Sequence, residues 1–544
     1  MEKWLLKNAR IIDGTGAPGF EGHVLVAGER IAGVFKAGEP LPSADDVIDA
    51  GGKTLSPGFI DMHSHSDWAL PHADHDIALK CLPEQGVTTI VGGNCGFSPA
   101  PFTEKSRAQM AGEHFSLLID KPLAFSWETF GEYLAHVEKT RPIVNSAHLV
   151  GHATIRLAAA ATRRGALAAH ENAHCRDLLA LSFEAGACGL SFGLGYDPGM
   201  YSPKSEIEAF CQAAQAAGKP VTVHMKALSR VSPTYSPLYM RSHNVRALRE
   251  ILEIARHTGV RLQISHLIFV GRKSWPSAEK SLAMIEAAQR EGLDVMFDAF
   301  PFTCGNTTIN AIFPYWFLAR LPDAYASKKA RIRLRGELAL GFWLNGFGYE
   351  DLQVMDAGGG KWASINGLRV TELARRWGVP PFDAVLKLSR ETNGNAVVLL
   401  HAYSGEPGNE RGLERVLCHD SCLFETDALY RYGGYPNPAA KGTFPKLLGE
   451  YLRDRRLVPI EKAVHRMTEA SARRFHIKDR GVLAKGKAAD IVLFDPQAIG
   501  ESPPQGSRPA ARPKGIIHVW INGAQVVKDG RYLEGLRAGQ VLRT

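Results

Sequence analysis

The sequence lacks long apolar runs, an export leader and a cysteine framework. No stretch of about 18 apolar residues suggests a membrane-spanning helix, and the N-terminal segment MEKWLLKNARII has neither a long apolar core nor a small-residue cleavage site. The eight cysteines are scattered over 544 residues, which argues against a disulfide scaffold and favours a reducing compartment. These absences predict a cytoplasmic protein without a membrane anchor.

A nucleic-acid-binding signature is also missing. The net charge is +8, from 64 basic and 56 acidic residues. The basic residues form only short clusters such as RRG, KKARIRLR and RDRR, and no RNA or DNA motif accompanies them. We therefore assign the charge to a solvated surface. With 45% apolar residues the composition is that of a globular protein, and the length fits a large barrel with an appended domain.

Short apolar strands alternate with helical stretches through the middle of the chain. Eight segments have the pattern of strands: GFIDMHSH, VTTIVGGN, PIVNSAHLVG, CGLSFGL, PVTVHMK, RLQISH, LDVMFDAFPF and SCLFETDA. Helical stretches such as NVRALREILEIARHTG lie between them. Eight βα units predict an α/β fold, a (β/α)8 TIM barrel, over residues 56–477. The connection after the seventh strand is too long for a simple crossover, so we expect an inserted subdomain at about residues 305–375.

The two ends of the chain have a different pattern. Residues 1–55 and 478–544 alternate apolar and polar residues between glycine-rich turns, which is typical of small β units. Two such units at opposite termini could pair with each other. We therefore expect them to form one small β domain beside the barrel.

Six residues with metal-binding side chains stand at the ends of predicted strands. They are His63 and His65 after the first strand, Cys95 after the second, His224 after the fifth, His266 after the sixth and Asp427 after the eighth. Side chains two positions apart in a strand point the same way, and the C-terminal strand ends of a barrel meet at one rim. Each residue alone is more often structural, but all six at the same end predict a common site. Histidine, cysteine and aspartate together suit Zn²⁺.

These motifs resemble a known family. The segments GFIDMHSHSD, GGNCGFSPAP, GHATIR, GLSFGLGYDPGMYSPKSEI, DAFPFTCGNT and GVLAKGKAADIVLFDP are similar to those of the D-aminoacylase (N-acyl-D-amino-acid deacylase) branch of the amidohydrolase superfamily, over nearly the whole chain. The cysteine in GGNCGFSP is the mark of this branch. The resemblance implies a β-sandwich built from residues 1–55 and 478–544, and an insertion that leans over the site as a lid.

The resemblance also implies roles for the six residues. Cys95, His224 and His266 would hold a tightly bound Zn²⁺, while the two histidines of the H-x-H pair and Asp427 would form a second, more weakly filled position that Cys95 could bridge. Asp427 would accept a proton from water and deliver it to the leaving amine. The implied reaction is zinc-dependent hydrolysis of a C–N amide bond in an N-acyl (D-)amino acid or related N-acyl amine, without an organic cofactor.

The predicted substrate-binding loop departs from the family pattern. Relatives carry a lysine near the sixth-strand histidine that grips the substrate carboxylate, and Ile268 stands in its place here. Arg272 or Lys273 from the same loop could replace that cation, or be solvated loop charges. Lys226 stands where relatives tend to carry arginine. A more apolar pocket than usual keeps a second hypothesis open, in which the same metal site hydrolyses a cyclic amide, an imide or a neutral hydrophobic amide.

Four further residues are candidates for contact with a small-molecule substrate. Tyr196 aligns with a substrate-contacting tyrosine of the family, and Phe302 and Thr303 stand where relatives carry YPYT. His152 lies at the predicted third-strand rim. Each of them could instead be a packing residue. An inactive barrel that serves as a binding protein is disfavoured, because all six ligand positions are present, and a homo-oligomer is compatible with the sequence.

Overall fold

A computed structural model describes residues 3–113, 115–160, 165–236, 241–505 and 509–544. The chain begins with five strands, β1 Lys3–Ile11, β2 Phe20–Ala27, β3 Arg30–Lys36, β4 Asp46–Asp49 and β5 Thr54–Pro57. Apolar side chains alternate along them and pack into a core that includes Leu6, Val24 and Trp520. The N-terminal segment is therefore β structure, as its alternating pattern predicts.

A parallel barrel follows. Its first seven strands are β6 Phe59–Asp61, β7 Val87–Gly92, β8 Asn145–Gly151, β9 Gly189–Gly193, β10 Val221–His224, β11 Leu262–Ile264 and β12 Val295–Ala299.

 An eighth strand, which follows an insertion in the chain, pairs with β12 and completes the barrel. Neighbouring strands pair in parallel and in chain order. Each strand lies within one of the predicted segments, so the TIM-barrel prediction is confirmed.

Helices follow the barrel strands on the outside. In the first seven units they are α1 His75–Leu79, α2 Cys81–Glu84, α3 Glu104–Glu113, α4 Phe115–Leu118, α5 Phe130–Thr140, α6 His152–Ala160, α7 Ala169–Glu184, α8 Lys204–Ala216, α9 His243–Thr258 and α10 Ser277–Arg290. In α9, the buried residues Val245, Leu248 and Leu252 share one face, which is the helical spacing that packs against a sheet. The helix ends at Gly259, whose φ of +68° is the left-handed conformation that glycine adopts at helix ends.

The insertion has its own sheet and its own apolar core. The antiparallel strands are β13 Cys304–Thr308, β14 Leu352–Asp356 and β15 Val397–His401, and the helices are α11 Tyr315–Leu318, α12 Lys328–Asn345, α13 Val370–Trp377 and α14 Pro381–Glu391. Phe317, Leu334 and Val354 are among the residues of its core. Its sheet extends to residue 401, beyond the expected end at residue 375. How the chain divides into domains remains a prediction.

The chain then returns to the barrel and closes it. The remaining helices are α15 Arg411–Cys418, α16 Ala439–Lys446, α17 Ile460–Met467 and α18 Glu469–Arg474, and the eighth barrel strand is β16 Cys422–Phe424. Asp61, at the end of β6, accepts hydrogen bonds from the Thr426 backbone N (2.9 Å) and Oγ1 (2.7 Å). The Asp427 backbone N donates to the His63 carbonyl oxygen at 3.0 Å. These bonds join the first and last strands and bring Asp427 beside His63.

The C-terminal segment joins the N-terminal one in a single sheet. It supplies β17 Ile491–Phe494, β18 Ile516–Ile521, β19 Ala524–Lys528 and β20 Arg531–Tyr532, and β17 pairs with β5. A last strand, β21 Val541–Leu542, pairs with β8 of the barrel. The two termini therefore build one small β domain next to the barrel. None of the helices in the described part of the chain is long and apolar enough to cross a bilayer.

Candidate metal centre

Three of the predicted ligands converge at the C-terminal mouth of the barrel. The Cys95 Sγ lies 3.7 Å from His224 Nδ1 and 3.4 Å from His266 Nε2, and those two nitrogens are 2.9 Å apart. With Zn–S about 2.3 Å and Zn–N about 2.0–2.1 Å, a tetrahedral site separates a sulfur and a nitrogen ligand by about 3.6 Å. The sulfur–nitrogen distances are close to this value, whereas two nitrogen ligands of a tetrahedral zinc lie about 3.3 Å apart and these two are 2.9 Å apart. The three side chains fit a shared zinc ion if the two histidines move apart slightly.

The remaining three predicted ligands adjoin the first group. The Cys95 Sγ is 3.3 Å from His63 Nε2, and the Asp427 Oδ1 is 3.5 Å from His63 Nε2 and 3.4 Å from His65 Nε2. Ligand atoms of His63, Cys95, His266 and Asp427 all lie within 4.8 Å of one another. The sulfur of Cys95 faces both groups of ligands, which is the placement that a bridging thiolate requires.

Strained backbone aims several of these side chains inward. Cys95, His266 and Asp427 have φ values of +56°, +32° and +45°, in the left-handed region that costs a non-glycine residue about 1–3 kcal/mol. Two glycines allow the Cys95 loop to pass close to neighbouring backbone, where a side chain would not fit. A Cβ on Gly93 would lie 2.0 Å from the Leu149 carbonyl oxygen, and one on Gly96 would lie 2.5 Å from the backbone nitrogen of Gly193. The GGNCG motif is thus the local sequence that lets a thiol reach the centre.

Buried carboxyl groups orient the histidines from behind. Asp298 Oδ1 lies 3.2 Å from His63 Nδ1 and accepts a hydrogen bond of 2.7 Å from the His266 backbone N. Glu425 Oε2 lies 3.5 Å from the same His63 nitrogen. A carboxylate on the second ring nitrogen of a ligating histidine fixes its tautomer and raises its basicity. Asp67 holds the Cys95 loop by accepting a hydrogen bond of 2.9 Å from the Gly93 backbone N.

The electrostatics favour an anionic thiol surrounded by cationic groups. Burial alone would raise the pKa of Cys95, but the charges of His63 and His266 and the hydrogen bonds to its sulfur lower that pKa well below its ordinary value. Burial opposes protonation of His65, yet its hydrogen bond to Asp427 raises its pKa to about 9. Protons on the histidines therefore balance the negative charges of the Cys95 thiolate and the Asp427 carboxylate. A divalent cation would displace them, because metal ligands bind in their deprotonated forms.

A cleft of about 340 Å³ opens onto the cluster, within the size range of small-molecule sites. Its apolar lining comprises Phe97, Leu117, Leu118, Ala311, Leu318 and Leu429. Its neutral polar lining comes from the insertion, as Asn306, Thr307, Thr308 and Asn310. Tyr196 and Asp197 complete the wall beside the ligands. Among the described residues that line the cleft there is no lysine or arginine.

Tyr196 is the predicted substrate-contacting residue that the structure places in the cleft. Its hydroxyl donates a hydrogen bond of 2.6 Å to the Cys95 carbonyl oxygen. Its ring stacks on Phe97 with 5.7 Å between centroids and meets His224 edge-on at 4.8 Å. The Tyr196 side chain thus contacts the Cys95 backbone and the His224 ring, which both belong to the predicted metal centre.

The predicted cations lie outside the cleft, each with other contacts. Arg272 forms salt bridges with Asp351 at 2.8 Å and Glu406 at 2.8 Å, which hold it against the insertion. Lys273 is exposed, and its ammonium lies 4.0 Å from the centroid of the Trp343 ring. Lys226 lines a separate cavity between α8 and α9. The structure therefore brings none of these three cations to the metal centre.

The other predicted substrate contacts are also packed elsewhere. Phe302 and Ile268 are buried in one apolar cluster, and the Thr303 carbonyl oxygen accepts a backbone hydrogen bond of 3.0 Å from Tyr403. His152 is buried and pairs with Glu206 at 3.0 Å. None of the three predicted contacts Phe302, Thr303 and His152, all in the described part of the chain, is among the residues that line the cleft.

Sequence reasoning overlooked several groups at this site. Asp298 and Glu425 lie in strand segments that were predicted correctly, and a signal existed in each, since a carboxylate in an otherwise apolar barrel strand needs a partner. The wall at residues 306–311 gave no such signal. Asn306 is notable because its Nδ2 donates a hydrogen bond of 3.0 Å to the Asp427 carbonyl oxygen. It links the insertion to the backbone of a predicted ligand.

Comparisons with known proteins agree with this geometry. The sequence profile of the amidohydrolase family matches residues 46–270 and 420–527. The N-acyl-D-glutamate deacylase of Alcaligenes xylosoxydans xylosoxydans is 30% identical over 545 residues, which cover 99% of this chain and 96% of the relative. The chain belongs to the amidohydrolase family. The D-aminoacylase of the same organism is 30% identical to this amidohydrolase over 538 residues, covering 99% of this chain and 97% of the relative.

Solved structures show the same relationship. The crystal structure of N-acyl-D-glutamate deacylase from Bordetella bronchiseptica, complexed with zinc and a phosphonate mimic of the tetrahedral intermediate, matches this amidohydrolase with a TM-score of 0.78 at 30% identity, covering 99% of both chains. A D-aminoacylase with a binuclear metal centre gives a TM-score of 0.80 at 30% identity and the same coverage. The predicted family and its fold are thereby confirmed.

Proposed function

We propose that this amidohydrolase is a zinc-dependent hydrolase that removes the acyl group from N-acyl amino acids or related N-acylated amines. The observation that carries the proposal is the convergence of His63, Cys95, His266 and Asp427, whose ligand atoms lie within 4.8 Å of one another at the mouth of a substrate-sized cleft. The deacylases that share 30% identity over the whole chain support the reaction class.

The donor set suits one tightly held Zn²⁺ and a second, weaker position. Cys95, His224 and His266 would hold the first, and His63, His65 and Asp427 would form the second. Mixed sulfur, nitrogen and oxygen donors are typical of zinc. When bound, zinc lowers the pKa of a coordinated water to about 7 and withdraws electrons from an amide carbonyl.

Asp427 is the residue that would move the proton. Burial raises the pKa of its carboxyl group, but the charge of His266 and the hydrogen bond from His65 hold that pKa below its ordinary value, so the group is a carboxylate that can accept a proton from the attacking water. It then delivers the proton to the amide nitrogen, because an amine is a poor leaving group as an anion. The carboxylate faces the cleft, where the water oxygen and the amide nitrogen of a bound substrate would both lie within its reach.

The lining of the cleft suggests how a substrate is oriented. The apolar residues on the side of Leu117, Leu118 and Leu429 would hold an acyl chain and exclude water. Asn306, Thr307 and Thr308 offer neutral hydrogen-bonding groups from the insertion to the amine half. Tyr196 would form the remaining wall of the cleft, beside the metal-binding side chains.

A second candidate follows from the missing cation. Relatives that bind a carboxylate use a lysine near the sixth strand, and Ile268 is buried in an apolar cluster at that position. Since no lysine or arginine occurs among the described lining residues, a neutral amine half, or a cyclic amide or imide, is the alternative substrate class. The chemistry of the metal centre is the same in both cases.

Matched substrates separate the two candidates. Zinc-loaded protein would be given N-acetyl-D-leucine, its L enantiomer, its decarboxylated analogue N-acetyl-3-methylbutylamine and a hydantoin. Faster cleavage of N-acetyl-D-leucine than of its decarboxylated analogue supports the first candidate, and the reverse order or hydantoin cleavage supports the second. If no amide in an extended series of acyl lengths is cleaved by zinc-loaded protein, the proposed function is wrong.

We also propose a cytoplasmic location and a small N-acylated molecule as partner. All eight cysteines are unpaired, which suits a reducing compartment. Oligomer formation stays a prediction.

A further inference from the structure

A buried ionic cluster lies outside the metal centre. His152, Arg156 and Glu206 are 0%, 2% and 4% exposed. One carboxylate oxygen, Glu206 Oε1, lies 3.0 Å from His152 Nε2 and accepts hydrogen bonds from Arg156 Nε at 3.0 Å and Ser202 Oγ at 2.9 Å. Desolvating two charged groups is expensive, and a buried ion pair often adds no net stability over apolar packing. The cluster therefore calls for a role other than stability.

The cluster contacts the loop of residues 194–203, which joins β9 to α8. Ser202 belongs to this loop, and Arg156 also donates a hydrogen bond of 3.4 Å to the Pro198 carbonyl oxygen. His152 fixes the other side of the carboxylate, because its ring packs between Phe192 and Phe210 with centroid distances of 4.7 and 4.8 Å. The loop is thus attached at two points to side chains that cannot easily move.

The same loop carries Tyr196 into the cleft. Its hydroxyl bonds the Cys95 carbonyl oxygen and its ring packs against His224. Within the loop, the Met200 backbone N donates to the Tyr196 carbonyl oxygen at 2.9 Å, and the Ser202 backbone N donates to the Gly199 carbonyl oxygen at 3.1 Å. Two backbone hydrogen bonds, together with the peptide segment between them, therefore connect the ionic cluster to the part of the loop that carries Tyr196.

We propose that Arg156, Glu206 and Ser202 are positioning residues that hold the 194–203 loop so that Tyr196 stays against Cys95 and His224. They act on catalysis only through the loop and do not touch the substrate. The catalytic consequence rests on the proposed function, since it requires an amide substrate in the cleft. The holding of the loop does not, and it is tested separately.

The first test measures the loop without any substrate. Ser202→Ala removes the hydrogen bond from Ser202 Oγ to Glu206 Oε1, which connects the loop to the ionic cluster. Ser182→Ala is the matched control, because Ser182 is also buried and donates one hydrogen bond of 2.7 Å, to the Leu178 carbonyl oxygen within α7. Hydrogen–deuterium exchange of peptides that span 194–203 should become about fivefold faster in Ser202→Ala, the opening expected for one lost hydrogen bond, and should not change in the control. Unchanged exchange would overturn the inference.

The second test asks whether the effect passes through Tyr196. We expect Ser202→Ala to lower kcat/KM about fivefold in the native enzyme, with zinc content unchanged, and by less than about twofold in a Tyr196→Phe background, as coupled residues do in a double-mutant cycle. Equal losses in the two backgrounds would overturn the route through Tyr196. If Ser202→Ala does not fold, Arg156→Lys is measured by the same two criteria. Faster exchange in a protein that cleaves no amide would count against the proposed function and leave the holding of the loop in place.

Discussion

Replacement of Asp427 by asparagine removes a proton acceptor and changes the shape of the side chain very little. The asparagine oxygen can occupy the position of Oδ1, which lies 3.5 Å from His63 Nε2 and 3.4 Å from His65 Nε2. In the proposed site the tightly held zinc would be bound by Cys95, His224 and His266, which the substitution does not touch. Proton transfer by a positioned group typically contributes about 10²–10⁴-fold. We therefore expect kcat to fall by about 10²–10⁴, or about 3–5 kcal/mol in activation free energy, with one equivalent of zinc retained.

The assay measures amine release and bound zinc on the same preparation. Asp420→Asn is the control, because it makes the same substitution just before the N-terminal end of β16, the opposite end from Asp427. Asp420 is exposed there and paired with Lys462 and Arg466, so kcat should stay within about twofold of the native value. A zinc-replete Asp427→Asn variant with near-native kcat would refute the proton-transfer role. Loss of most of the zinc would show instead that Asp427 acts mainly as a ligand.

Three further predictions test the surroundings of the site and the fold. Asn306→Ala removes the hydrogen bond of 3.0 Å to the Asp427 carbonyl oxygen and should lower kcat/KM about fivefold, the worth of about 1 kcal/mol; no change would mean that the strained backbone needs no such support. Asp298→Asn weakens the partner of His63 Nδ1 and should raise the dissociation constant of the more weakly bound zinc about 10–100-fold in a chelator competition, whereas unchanged affinity at that position would contradict its orienting role. Burial lowers the pKa of His75 to about 4, while the unfolded chain titrates near 6.5, so its contribution to stability is present above pH 6.5 and is lost as the pH falls toward 4. The native protein should lose about 2 kcal/mol more than His75→Gln between pH 7 and pH 5 in urea unfolding, and parallel losses would rule out this origin.

The convergence of the six predicted ligands could be expected from the sequence because it follows from local rules. Alternation along a strand places His63 and His65 on one side, and the parallel barrel brings the C-terminal ends of all eight strands to one rim. Cys95, His224 and Asp427 therefore converge although they are far apart in the chain. The strand segments were recognisable for the same reason, because a strand buried on both faces is a short apolar run.

Contacts between distant loops could not be predicted in this way. Arg272 and Lys226 stand near the site in sequence, but their side chains turn toward partners on the insertion and between helices, and only the folded chain decides which partner is closer. The wall that includes Asn306 comes from an insertion whose orientation no local pattern encodes. The strained φ values of Cys95 and Asp427 are imposed by packing around them.

Strand periodicity and barrel topology are local or repetitive properties, so the order of residues was enough to indicate which strands form the barrel, which side chains meet at its mouth and which metal they suit. The lining of the cleft became visible only in the folded chain: its apolar and neutral polar walls, the hydrogen bond from Asn306 to the Asp427 carbonyl oxygen, and the attachment of the Tyr196 loop to a buried ion pair. Those features depend on contacts between segments such as Arg156 and Pro198, 42 residues apart, and Asn306 and Asp427, 121 residues apart, and the free energy of such contacts exists only once the chain has folded.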